Sequence, residues 1–281
     1  MSNDDERRGE ARRLTKIVHL KNATVALDDT GDGDAVLLLH GFPATRRLWS
    51  RVAPSLTAAG FRVLVPDLVG YGDSHADAGL RVDMAHQAHW LLELLDAMGI
   101  ERAAVVAHDV GSAAAQLLVV RAPHRVRGLA VLDGVCGREW AMQAIESIQK
   151  WPAAEAHRLF AVLARRLGKT PGMREMLAAY AGEDGGLRLI RAAQDLDPGQ
   201  TETIGESLRG SKVPALVLWG AHDQYLPIDG VARPLAELLE APLILLPGGH
   251  FTPLDCPEPV TEALQKFLAG LSPGIPAMSP R

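Results

Sequence analysis

Short apolar runs alternate with longer amphipathic stretches along most of this chain. The runs at 23–27, 36–39, 62–65, 103–107, 128–132, 215–219 and 243–246 are predicted strands, and six of the seven are nearly unbroken in apolar residues. A strand that is covered on both faces has that look, whereas one with a wet face alternates. Helical spacing fills the intervals, notably 84–98, 112–121 and 258–269. Strands joined by crossover helices predict an α/β fold with a mostly parallel central sheet flanked by helices. From 137 to 211 the β-type runs disappear, and Ala, Leu, Arg and Glu recur at helical intervals. This stretch is expected to be an inserted all-helical lid over the carboxyl ends of the strands, where open α/β sheets bind their ligands.

Composition narrows the function classes. The 281 residues are 47% hydrophobic and 22% charged, which suits a soluble core and excludes a disordered body. The net charge is −5 with the two signs interleaved, and the lid carries ten acidic and ten basic residues. No basic stripe for nucleic acid or for a membrane surface emerges, so the expected partner is a small molecule acting on a monomer or homodimer. Cys136 and Cys256 lack ligand spacing, so neither a metal site nor a disulfide framework is expected, and the reading implies no cofactor. With no apolar leader or spanning run, the expected place is the cytoplasm. Residues 1–15 and 273–281 read as flexible tails, and 16–136 with 212–272 as the core around the 137–211 cap.

The stretch VVAHDVGSAAAQ, residues 105–116, passes from strand through a sharp turn into helix. Small residues two places either side of a central side chain, here Ala107 and Gly111, permit the strained turn of a nucleophile elbow. The central residue is Asp109, and Ser112 comes three positions too late. A carboxylate there attacks an electrophilic carbon and forms an alkyl ester, which water then cleaves. The competing role for Asp109 is to cap the following helix.

Ester cleavage needs a base, and His250 follows the last predicted strand, in chain order after the elbow and an acid. Asp223, after the strand at 215–219, is the first choice to orient it, and Asp133, after the strand at 128–132, is the competitor. In a hydrolase of this shape, the backbone N–H groups of Phe42 and Val110 form the oxyanion hole, with Gly41 allowing close approach and His40 beside the substrate. The loop at 66–74 is expected to line the pocket.

The segments HGFP (40–43), DLVGYGDS (67–74), AHDVGS (107–112), WGAHDQYLP (219–227) and GGHFTPLDCPE (248–258) occur in the order that the α/β-hydrolase superfamily shows, and the chain resembles that superfamily from about 18 to 271. The elbow H-D-x-G is similar to the aspartate-nucleophile branch, which contains epoxide hydrolases, haloalkane dehalogenases and haloacetate dehalogenases. The resemblance implies an α/β-hydrolase fold and a covalent mechanism. Haloalkane dehalogenases carry tryptophan directly after the nucleophile, where this chain has Val110. Haloacetate dehalogenases carry arginines there and shortly after, where this chain has Val110 and then 112–115 without one. Asp133 matches the acid position of that family, and AEAHRLF resembles its lid motif, which implies a halide-binding role for His157. Epoxide hydrolases use two lid tyrosines to protonate the opening ring; this lid has Tyr180, with Trp151, His157 or the core residue Tyr225 as alternative donors and Trp140 as a further substrate contact. Opening of a hydrophobic neutral epoxide to a diol is the leading expectation. Dehalogenation is the alternative, followed by a non-hydrolytic cyclase or lyase in which Asp109 acts as a base.

Overall fold

The computed structural model describes residues 15–272. Nine strands form one sheet: β1 (Thr15–His19), β2 (Ala23–Thr30), β3 (Ala35–Leu39), β4 (Arg62–Pro66), β5 (His75–Ala76), β6 (Ala103–His108), β7 (Val126–Leu132), β8 (Ala215–Gly220) and β9 (Leu243–Leu246). Their order is β1-β2-β4-β3-β6-β7-β8-β9, with β5 added to β2. Pairing is parallel from β4 through β9 and antiparallel around β2. Every residue of β3, β6 and β7 is buried, as their unbroken apolar runs require.

Helices α1 (Ala53–Ala58), α2 (Met84–Ala97) and α3 (Gly111–Arg121) connect the first half of the sheet. Helix α2 starts where the Asp83 side chain accepts the His86 N–H, an N-cap in the ordinary sense. Between β7 and β8 lie α4 (Met142–Gln149), α5 (Ala156–Leu167), α6 (Met173–Leu177), α7 (Gly182–Gln194), α8 (Gly199–Glu202) and α9 (Gly205–Arg209), with no strand of the sheet among them. Helices α5 and α7 pack on each other, and their apolar faces, such as Leu159, Leu163, Leu189 and Ile190, are buried. The chain closes with α10 (Arg233–Leu238), α11 (Thr252–Asp255) and α12 (Pro257–Ala269).

All seven expected strands and the three expected core helices are present, with ends moved by up to three residues. Three details differ. Strands β1 and β5 escape an apolar scan because β1 is mostly exposed at the sheet edge and β5 is two residues long. The run at β9 reads as a doubly covered strand, yet it has one neighbour, and Ile244 and Leu245 are 41% and 47% exposed. An apolar run alone does not separate an edge strand from a central one. The expected tails lie outside the described residues, apart from Thr15, which opens β1.

Candidate active site

Strand β6 ends at His108, and the chain turns at Asp109 with φ of 50° before α3 begins at Gly111. A left-handed backbone at a non-glycine residue costs on the order of 1 kcal/mol, so the surroundings must enforce it. They do so by close approach. A Cβ on Gly111 would sit 2.1 Å from the His40 carbonyl oxygen, and one on Gly41 would sit 2.5 Å from the Asp109 Cβ. The two chain segments meet at van der Waals limits, which presses Asp109 outward between them. Asp109 does not cap α3: the residue at that position is Val110, and no side-chain capping bond is present. Gly111→Ala is expected to destabilise the protein by about 3 kcal/mol, near the upper end of overpacking costs, since the clash is with backbone. Chemical denaturation of the two proteins measures it.

The Phe42 N–H donates to Asp109 Oδ2 at 2.8 Å, and the backbone N–H of Val110 also favours the charged form of this carboxylate. The other oxygen, Oδ1, faces His250 Nε2 at 3.8 Å. Burial raises the Asp109 carboxyl, against the pull of His250 and of the two backbone donors. Behind the imidazole, His250 Nδ1 donates to Asp223 Oδ2 at 2.9 Å. Asp223 in turn accepts the N–H groups of Tyr225 (2.8 Å) and Leu226 (3.0 Å), which aim it. Burial would lift Asp223, but these bonds and His250 hold it below the usual range. For His250, burial alone would lower the imidazole; the bond and charge of Asp223, with the charges of Asp109 and Asp133, outweigh it and raise the ring to about 9.

Asp133 is fully buried and takes a different part. Its carboxylate accepts the Gly220 N–H at 2.6 Å and the Thr252 hydroxyl, and it makes no hydrogen bond to His250. Burial raises it to about 8, against His250, Thr252 and Gly220. It therefore ties the loop after β9 to the ends of β7 and β8. His108 acts on the same loop: its Nε2–H donates to the His250 carbonyl at 2.7 Å, while burial holds the ring neutral at about 3. No spacing rule in the sequence points to His108, because the partner is a backbone atom 142 residues away.

A pocket of about 700 Å³, counting its open mouth, rises from Asp109 and His250. Phe42, Trp140 and Tyr225 line it as well. Tyr225 packs edge-on to His250 with ring centres 5.1 Å apart. Trp140 presents its ring only, since its indole N–H donates to Thr201 Oγ1 at 2.8 Å and to the Gly137 carbonyl at 3.1 Å.

Four expected contacts lie elsewhere. The Tyr180 hydroxyl donates to the Ala44 carbonyl at 2.8 Å, which buries the phenol away from the pocket. The Trp151 indole donates to the Glu155 carbonyl, capping a short turn. His157 is exposed and off the pocket lining. His40 is buried between loops: Leu68 N–H donates to its Nε2 at 2.9 Å, leaving Nδ1 to donate to the Gly41 carbonyl. Of the loop at 66–74, nothing lines the pocket. Asp67 instead binds the Arg46 guanidinium and backbone N–H, bracing the loop that follows β3. The sequence did not reveal the pocket face of the inserted helices, among them Ile145 and Ile148 of α4 and Leu163 and Arg166 of α5. Helical spacing identifies an apolar face, but an inserted helix has two candidate partners, its neighbour and the pocket.

Residues 34–257 match the family described as the alpha/beta hydrolase fold. This chain belongs to that family. Within the α/β-hydrolase family, the magnesium-chelatase 30 kDa subunit of Rhodobacter capsulatus is 32% identical over 243 residues, which cover 79% of this chain and 83% of that protein. An epoxide hydrolase of Caballeronia sordidicola is 39% identical over 103 residues, 36% of this chain and 31% of that one. Among solved α/β-hydrolases, the haloalkane dehalogenase DbeA of Bradyrhizobium elkani superposes with a TM-score of 0.76 at 26% identity, over 91% of this chain and 97% of its own. These relatives carry different names on one fold, so the α/β-hydrolase scaffold alone does not select a reaction.

Proposed function

We propose that this α/β-hydrolase opens epoxides through a covalent ester on Asp109. One observation carries the proposal: the backbone N–H of Phe42 donates to the carboxylate of Asp109 itself, and that of Val110 also favours its charged form. A carboxylate that only removed a proton would gain nothing from an oxyanion hole. A carboxylate that becomes an ester needs one, because its own carbonyl oxygen takes up negative charge when water attacks. In the first step Asp109 Oδ1 attacks a ring carbon, the carbon–oxygen bond breaks, and the alkoxide takes a proton. In the second, His250 removes a proton from water as it adds to the ester carbonyl. The tetrahedral intermediate then collapses, the leaving alkoxide takes its proton from the imidazolium that Asp223 holds, and the proton left on the freed Asp109 carboxyl returns to the donor of the first step.

Tyr225 is the proton donor in this proposal. It lines the pocket beside His250, whereas the lid phenol Tyr180 is tied to Ala44. Burial and the charge of Asp223 raise its phenol, so it stays protonated at neutral pH. Tyr225→Phe is expected to slow ring opening by about 100-fold, the lower range for loss of a general acid, with less effect on decay of a preformed ester; pre-steady-state kinetics separates the two. A haloalkane substrate is less well served. Val110 follows the nucleophile, and the pocket-lining indole of Trp140 already donates to protein oxygens.

A single turnover in heavy-oxygen water tests the mechanism. The first diol is expected to carry a light oxygen from Asp109, and the carboxylate to gain a heavy one. Solvent oxygen in the first product with an unlabelled Asp109 peptide overturns it. A panel of epoxides and halides of matched size, read by diol and halide release, decides the leaving group.

A further inference from the structure

The pocket wall is apolar except at a few points. Beyond Asp109 and His250, its lining includes the Tyr225 phenol and the guanidinium of Arg166, the sole lysine or arginine on that lining among the described residues. Arg166 sits on α5, where Leu163, Arg166 and Leu167 stand three and four residues apart and so share one face, which lines the pocket. Arg166 and its neighbour Arg165 are both exposed, but only Arg166 belongs to the lining. A cation in the last turn complements the helix dipole, and Arg165 meets that need without reaching the pocket.

The positive charge of Arg166 acts on Tyr225, where it favours the ionised phenol and so opposes the effect of burial. Among the described residues no carboxylate forms an ion pair with Arg166. The two carboxylates nearest the chemistry are engaged elsewhere: Asp109 with Phe42, Val110 and His250, and Asp223 with His250, Tyr225 and Leu226. The otherwise apolar lining therefore carries one solvent-exposed guanidinium with its fork of donors available to a ligand.

We propose that Arg166 forms a carboxylate subsite, and that the substrate has an apolar body with a carboxylate at one end, bound by Arg166, and the electrophilic carbon at the other, beside Tyr225 and Asp109. The fork of a single guanidinium matches a carboxylate in geometry and charge, whereas a phosphate dianion would meet half of the charge it needs. Binding the far end of the substrate at Arg166 orients the reacting carbon over Asp109 Oδ1. The reaction at that carbon rests on the function proposed above; the subsite does not.

Two unreactive probes, 4-phenylbutanoate and 4-phenylbutanamide, separate charge from shape. In titration calorimetry the full-length protein is expected to bind the carboxylate about tenfold more tightly than the amide, the size of one charge-assisted hydrogen bond in a partly wet site. That ratio is expected to fall to about one in Arg166→Met, to be partly kept in Arg166→Lys, and to persist in Arg165→Met, with thermal midpoints reporting folding. Failure of the carboxylate to bind more tightly than the amide overturns the proposal, as does a ratio that survives Arg166→Met or an equal weakening of both probes. A second arm compares a carboxylate-bearing epoxide with its methyl ester. If neither is turned over and no ester forms on Asp109, the reaction fails while the probe ratio still decides the subsite.

Discussion

His250→Gln is expected to halt turnover after the first chemical step, leaving the alkyl group of an epoxide bound to Asp109 as a mass increment on the intact protein. The nucleophile keeps its elbow and its two backbone donors in this variant, so attack proceeds. Hydrolysis loses its base, which is worth about 10² to 10⁴ in rate. The 3.8 Å from His250 Nε2 to Asp109 Oδ1 exceeds a hydrogen bond, yet places the ring one small molecule away from the ester carbonyl. The pH dependence follows. Burial would lower His250, but Asp223 and the charges of Asp109 and Asp133 hold it up near 9. Esterification removes the charge of Asp109, so the ring falls below that value and becomes a base nearer neutrality. In the wild type, ester decay is expected to slow as pH drops through this lowered value, and the ester to accumulate in acid. An unmodified Asp109 in His250→Gln, after incubation with epoxides that the wild type consumes, would falsify the covalent route.

The second large effect separates the two acids. Asp223→Asn is expected to lower kcat by about 10⁴, the cost of losing the orienting acid while keeping its shape, because an amide presents the wrong group to His250 Nδ1. The histidine should also titrate lower than in the wild type, since Asp223 supplies the main upward pull against burial; NMR of the ring reads this directly. Asp133→Asn is expected to retain activity within about tenfold, because its bonds run to Gly220 and Thr252. It has a different signature. The folded Asp133 carboxyl is held up near 8 by burial, so the folded state keeps a proton that the unfolded chain has released above about 4. Stability tied to that proton is present in acid and is lost as pH rises through 8. Asp133→Asn should therefore gain thermal stability relative to the wild type at pH 9 compared with pH 6. An Asp133→Asn protein as inactive as Asp223→Asn would sink the assignment of the acid.

Much of the architecture is legible because burial on both faces of a sheet writes itself as unbroken apolar runs. The runs of β3, β6 and β7 mark the centre of the sheet directly. The elbow is legible for a related reason: crowding at the turn leaves room only for small residues, and Gly111 lies 2.1 Å of hypothetical Cβ from the His40 carbonyl. Constraints within a few residues, or of one type repeated along an element, survive projection onto a line.

Side-chain assignments in the inserted helices do not. Tyr180, Trp151 and His157 have the right chemistry for a pocket, but their neighbours send them to Ala44, to Glu155 and to solvent. Arg165 and Arg166 are both exposed cations that look alike in the sequence, and only the packing of α5 puts Arg166 alone on the face that lines the pocket. Asp223 and Asp133 follow adjacent strands, and the sequence favours Asp223 while leaving Asp133 as an alternative. From the sequence alone came the α/β-hydrolase order, the elbow at Asp109 and the identity of the residue types needed for chemistry, because each is set by local sterics or by the burial of a whole element. The exclusion of Asp133 in favour of Asp223 as the partner of His250, the loss of Tyr180 from the pocket and the place of Arg166 on its lining were decided only by the tertiary structure. Each depends on rotations and hydrogen bonds between segments far apart in the chain, where a difference of one helical position reverses which way a side chain faces.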